Sequence, residues 1–148
     1  MNEFFYAVPA VGAAALLFAY ILSARIEKTD AGNDRMKEIS SYIQEGAMAF
    51  LAREYKSLAI FVVVLFFALT FLIDWQTAVC FIVGGLFSAS TGYFGMRVAT
   101  KANVRTANGA RQGMNKALSI AFSGGAVMGM SVVGFGVLAW EFFILYLR

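Results

Sequence analysis

The side chains able to do chemistry are few, and they sit in two stretches. Glu27, Asp30, Asp34, Glu38, Glu45 and Glu54 account for six of the nine acids. They are strung along one polar segment, whereas a divalent-cation site needs carboxylates that converge. The second stretch, Lys101–Lys116, is basic, carries no acid and contains Gly109 and Gly113. Backbone amides of a glycine-rich loop can cradle a phosphate. A P-loop, however, requires two glycines with four residues between them, the second followed by Lys and Ser or Thr, and that pattern is missing. Cations beside an apolar run read more simply as topology determinants that also touch anionic lipid. The sequence has no histidine, and so lacks both the commonest metal ligand and the commonest general base. Its one cysteine, Cys80, can form neither an intrachain disulfide nor a thiolate metal cluster.

Composition explains the scarcity. The 148 residues are 60% hydrophobic and 14% charged, with a mean hydropathy of +0.71. An ordinary soluble domain carries roughly 45–50% apolar and about 25% charged residues. Disorder is excluded too, because its signature is low hydrophobicity. Four charge-free runs follow one another, Phe4–Ala24, Ser57–Ile73, Trp75–Met96 and Ala117–Trp140. Each has the length of a membrane span, roughly 17–25 residues. The reading is an all-α, polytopic membrane helix bundle with four transmembrane helices at about 4–24, 57–73, 77–96 and 117–140. A cleaved signal peptide would want a positive n-region, and only Glu3 precedes the first run, so that run is read as a retained helix. The apolar tail Phe142–Leu147 extends the fourth helix or begins a fifth.

Orientation follows from the cations. Segments 25–56 and 97–116 hold eleven of the twelve basic residues, and the other side has only Arg148, with Glu3, Asp74 and Glu141. The two basic segments are therefore read as cytoplasmic and the N-terminus as outside. Trp75 and Trp140 fall at outer span ends, where an aromatic belt would put them.

Between the first two spans, Thr29–Asp34 reads as a turn followed by an N-cap. Beyond it Met36, Ile39, Ile43, Ala47, Phe50 and Leu51 recur at helical spacing, with Lys37, Glu38, Gln44, Glu45 and Arg53 on other faces. This amphipathic cytoplasmic extension should run straight into the second span. It either packs on a catalytic part of a larger assembly or lies on the headgroups. Lys101–Lys116 reads as a loop.

The spans contain no Asp, Glu, Lys, Arg or His. Intramembrane ionisable groups are the default mark of an ion path, so this stretch is not expected to carry ions through its centre. Nine of the fourteen glycines lie in the third and fourth spans. Gly125 and Gly129 form a small-xxx-small pair, as do Ser88 and Gly92, so these helices should pack closely, against each other or a partner. Ser88, Ser90, Thr91, Tyr93, Ser119, Ser123 and Ser131 should hydrogen-bond locally and hold helices together.

One stretch is recognisable. Glu45-Gly46-Ala47, then Ala49-Phe50-Leu51, Arg53 and Tyr55-Lys56, resembles the second helix of the membrane-bound, ion-translocating inorganic pyrophosphatases. The run from Gly92 through Arg97, Lys101 and Arg105 to Ala107 gives a second match, and Ala121-Phe122-Ser123-Gly124-Gly125 through Met130 a third. The likeness covers the chain from the first span onward. It implies the N-terminal four-helix, outer-ring part of a longer chain that works as a homodimer. The intact enzyme would hydrolyse pyrophosphate at a cytoplasmic site of aspartates, lysines and Mg2+ and drive protons or sodium ions across a prokaryotic plasma membrane. The family's aspartate-rich hallmark lies beyond its fourth helix and does not occur here. No catalytic, cofactor-binding or metal-ligating residue is therefore carried over, and Mg2+ is placed outside this stretch. The implied partners are the remaining helices, a second copy, the bilayer and pyrophosphate; nucleic acid is not among them. The alternative is a complete small four-helix membrane subunit or transporter without enzymatic activity. Small multidrug-type transporters have four short spans too, but they need a membrane glutamate, and Phe4–Ala24 has none.

Overall fold

A computed structural model describes residues 2–147, without the side chains of residues 2–6, 145 and 147. Glu3 and Arg148, assigned above to the sparsely charged side, fall outside these described side chains. Four helices follow one another: α1 (Asn2–Lys28), α2 (Asp34–Leu72), α3 (Trp75–Ala110) and α4 (Met114–Leu147). All four contain stretches long and apolar enough to cross a membrane. The protein is an all-α integral membrane helix bundle. Phe142–Leu147 extends α4 rather than starting a fifth helix.

Two helices are much longer than a bilayer needs. α2 has 39 residues, which at a rise of about 1.5 Å gives roughly 58 Å. The hydrocarbon layer is only about 30 Å thick. The polar N-terminal half of α2 therefore projects beyond it as one continuous helix, because Asp34–Leu72 contains no proline and its single glycine, Gly46, is carried within the helix. The same holds for α3, and this corrects the sequence reading of Lys101–Lys116 as a loop. α3 continues to Ala110, and only Arg111, Gln112 and Gly113 form the turn. Residues 101–108 contain no glycine or proline to stop the helix, and Gly113, at φ +132, supplies the backbone conformation that reverses the chain.

Capping sets the other starts. The Asn33 side chain accepts a hydrogen bond from the Met36 amide at 2.9 Å. Asp74 accepts from the Thr77 amide at 2.6 Å and from the Thr77 hydroxyl at 2.9 Å. Both satisfy amide groups that a helix N-terminus leaves free.

The helices form a row. α1 packs on α4, α4 on α3 and α3 on α2, with a smaller contact between α1 and α3. α2 thus leans on one neighbour alone, and its spanning stretch stays uncovered. The core lies where α1, α3 and α4 meet, at Ala19, Ile26, Ala102 and Val127. It is built from small and medium side chains, as expected where close backbone approach replaces a hydrophobic drive.

α3 and α4 do pack closely, but through glycines other than the expected pairs. A Cβ added at Gly124 would stand 2.9 Å from the Ala102 Cβ, and one at Gly95 would stand 3.0 Å from Met128 Cγ. Gly125 and Gly129 have open space where a Cβ would go. They share a face, but it is not the face turned to α3. Ser88 is exposed, and Gly92 faces the Tyr55 hydroxyl. Among the glycines of the described residues, the tightest approach to another helix's backbone joins α1 to α4. A Cβ at Gly134 would lie 3.0 Å from the Gly12 carbonyl oxygen, and one at Gly12 would lie 3.2 Å from that of Gly134.

The span hydroxyls hydrogen-bond locally, as expected, but these bonds do not hold helices together. Ser90, Thr91, Ser123 and Ser131 donate to the carbonyls of Leu86, Phe87, Ser119 and Val127, each four residues back in its own helix. Such bonds satisfy the hydroxyl without joining helices. The inter-helix bond here comes from Tyr55, whose hydroxyl donates to the Ala89 carbonyl at 2.5 Å.

Candidate functional site: a polar clamp at the basic end

The charged groups that the sequence scattered are partly gathered at the end where α1 stops and α2 begins. Lys101, Arg105 and Asn108 stand at i, i+4 and i+7 on α3 and so share one face. That face receives the α1–α2 turn. Lys101 pairs with Glu27 at the end of α1. Arg105 reaches further, donating from Nε to the Thr29 carbonyl at 2.9 Å and from a terminal nitrogen to the Glu27 carbonyl at 3.1 Å. Its other terminal nitrogen donates to the Lys101 carbonyl of its own helix at 2.8 Å. Buried Asn108 donates to the Asp30 carbonyl at 3.2 Å and to its carboxylate at 3.3 Å. The Asp30 carboxylate also accepts from the Gly32 amide at 3.0 Å. Gly32 sits at φ +90, and a Cβ there would stand 3.1 Å from the Asn108 side chain. Glycine is thus required twice over, for its backbone conformation and for the room it leaves.

Geometrically this is a clamp. A planar guanidinium satisfies carbonyls that the end of α1 leaves without helical partners, which is the usual need at a helix C-terminus. The sequence reading missed it because the partners lie more than seventy residues apart. The i, i+4, i+7 spacing of Lys101, Arg105 and Asn108 was the available signal.

Electrostatics follow the geometry. The Lys101 ammonium, hydrogen-bonded to Glu27, holds that carboxyl below its ordinary value. The Gly32 amide does the same for Asp30, helped by Asn108. A carboxylate whose folded pKa is depressed stabilises the fold above its unfolded pKa and loses that contribution as pH falls through the folded value. The clamp should accordingly hold at neutral pH and loosen below about pH 4. Amide protection of Gly32 and Met36, corrected for intrinsic exchange, should drop over that range, and Glu27→Gln should flatten the drop. Protection independent of pH down to 2.5 would contradict it.

The clamp does not make a metal centre. Among the described residues no group of three His, Cys, Asp or Glu side chains could hold a metal ion. Glu27 is engaged by Lys101, and Asp30 by Gly32 and Asn108. The residues present do not fit a Mg2+ site.

Comparison with known proteins gives these helices their context. Residues 13–148 match the family model for inorganic H+ pyrophosphatase. The chain belongs to this family. A Clostridium tetani relative is 57% identical over 130 residues, covering 88% of this chain and 19% of its own. A K(+)-insensitive pyrophosphate-energized proton pump of Methanosarcina mazei is 42% identical, covering 99% of this chain and 22% of its own. A K(+)-stimulated pyrophosphate-energized sodium pump of Thermotoga maritima is 45% identical, covering 90% and 18%. The chain spans about a fifth of the length of the curated relatives it matches.

The pyrophosphatase-like stretches take distinct positions in the fold. In the first, Leu51 is buried, Tyr55 ties α2 to α3, and Glu45 and Phe50 are exposed. Of the apolar stripe read along α2, Met36 and Ala47 are half-buried, whereas Ile39 and Ile43 stay exposed within this chain. The second stretch supplies Lys101 and Arg105 to the clamp. In the third, Gly124 and Val127 form the packed face of α4.

Proposed function

We propose that this chain is an N-terminal scaffold of a pyrophosphate-energised ion pump, an outer-ring part whose chemistry is done by residues beyond it. The observation that carries the reading is a family match along nearly the whole chain, made by four apolar helices whose charge-free runs hold no Asp, Glu, Lys or Arg. In this reading the four runs are the spans at 4–24, 57–73, 77–96 and 117–140, with the basic end cytoplasmic and the N-terminus outside a prokaryotic plasma membrane. The intact protein hydrolyses pyrophosphate with Mg2+ bound to residues outside this stretch, moves protons or sodium ions, and works as a homodimer. Relatives named for either ion match at similar identity, so ion choice is assigned to helices beyond α4.

The part played by these residues is mechanical. The clamp fixes the α1–α2 turn on α3, and α2 carries that fixed point outward along its polar half. An assay of pyrophosphate hydrolysis tests the division of labour. The 148 residues alone should show background activity, whereas the longer protein continuing past Arg148 should hydrolyse pyrophosphate and acidify or load sealed vesicles. Hydrolysis by the 148 residues themselves would overturn the scaffold reading.

A further inference from the structure

α2 and α3 do not close against each other along their apolar lengths. Between them lies a groove of 570 Å³ whose wall includes Leu58, Val62, Ile82, Gly85, Leu86 and Gly92. Its size falls within the roughly 300–1,000 Å³ typical of small-ligand sites. Apart from the Ser88 hydroxyl, its lining side chains are apolar or, like Tyr55, spent elsewhere, the Tyr55 hydroxyl donating to the Ala89 carbonyl. The groove is therefore an apolar slot. One turn nearer the basic end, the same two helices frame a second opening of 300 Å³, lined by Gln44, Met48, Tyr93, Arg97 and Thr100. Arg97 is the first charge after the run Trp75–Met96. The three ion pairs among the described residues use Arg35, Lys37 and Lys101, which leaves this guanidinium outside them.

We propose that this slot and notch bind one anionic glycerophospholipid, its phosphate on Arg97 and an acyl chain between α2 and α3. Charge complementarity selects the occupant. The site has a cation at one mouth and a nonpolar wall below it, and an anionic amphiphile has the same order. Arg97 follows directly on an apolar run, so it stands at the depth where a phosphate sits. A basic side chain near an anionic headgroup attracts it, whereas a zwitterionic headgroup offers no net charge. The lipid would fill the gap between α2 and its single neighbour, and would brace it against α3.

Photolabelling tests this in the membranes of cells expressing the longer protein that continues past Arg148, with phosphatidylglycerol carrying a photoactivatable group in its acyl chain. Adducts should concentrate on Leu58, Ile82 and Leu86. Unlabelled phosphatidylglycerol should compete about fivefold better than phosphatidylcholine, as one headgroup contact would give. Arg97→Gln should abolish that preference and leave helicity unchanged, since Arg97 is exposed. Gly85→Leu should remove the adducts by filling the slot, because a Cβ at Gly85 meets nothing within 4 Å. Labelling spread evenly over the outer face of α2 at Ile60, Val64 and Phe71 would overturn the proposal. A headgroup preference that survives Arg97→Gln would overturn it too, as would a groove left unlabelled because a protein helix fills it.

Discussion

Replacing Gly134 with valine should separate α1 from α4 and destabilise the bundle by about 1–3 kcal/mol, the usual cost of overpacking. The upper end is expected. A Cβ at this position would stand 2.7 Å from Leu16 Cδ2 and 3.0 Å from the Gly12 carbonyl oxygen. Leu16 can rotate, but the backbone of Gly12 can move only with its helix. The smaller changes Gly125→Ala and Gly129→Ala meet open space and should be neutral or slightly stabilising, since alanine is the better helix former. Denaturation in mixed detergent micelles, followed by circular dichroism, measures the contrast. Equal losses for all three variants would show that the α1–α4 crossing is not the tight point.

Arg105→Ala should release the α1–α2 turn. The guanidinium serves the Thr29 and Glu27 carbonyls across the interface and the Lys101 carbonyl in its own helix. Hydrogen bonds made by charged groups contribute about 1.5–3 kcal/mol. Partial exposure lowers this, and a loss of about 1–2 kcal/mol is expected. The informative readout is local: exchange of the amides from Thr29 to Met36 should speed up while those of α4 stay protected. Arg105→Lys should recover only part of the protection, because one ammonium nitrogen lacks the planar spread of donors with which Arg105 reaches three carbonyls. Unchanged exchange in Arg105→Ala would show that the turn is held by Asn108 and Lys101 without it.

The elements were legible in the sequence because lipid imposes a simple rule. Charges cannot be left within the apolar layer, so their gaps at 4–24, 57–73, 75–96 and 117–140 mark where helices run. The start of α2 was legible too, since Asn33 follows a turn-rich stretch and precedes an amphipathic period. The packing was not. Small-residue spacing identified Gly125 and Gly129 as a shared face but could not say which neighbour that face meets. Gly12, alone in a run of alanines and leucines, gave no sign that it meets Gly134. The length of α3 was misjudged for a different reason. Polar residues after Met96 looked like a loop, yet a helix leaving a membrane turns polar without ending. The clamp joins Glu27, Thr29 and Asp30 to residues on α3, and single-sequence periodicity carries no information at that separation. Resemblance supplied the family, and the Lys101 and Arg105 of its second motif prove to be clamp residues.

The central claim is that this segment is an interchangeable scaffold in a pyrophosphate-energised pump. The most direct test replaces the matching N-terminal stretch of the Thermotoga maritima sodium pump, 45% identical to this chain, with residues 1–148. Pyrophosphate-driven sodium uptake is then measured in sealed vesicles. The account predicts a chimera that inserts, hydrolyses pyrophosphate and still pumps sodium. A chimera that inserts and folds but no longer hydrolyses pyrophosphate, or that changes its transported ion, would contradict it.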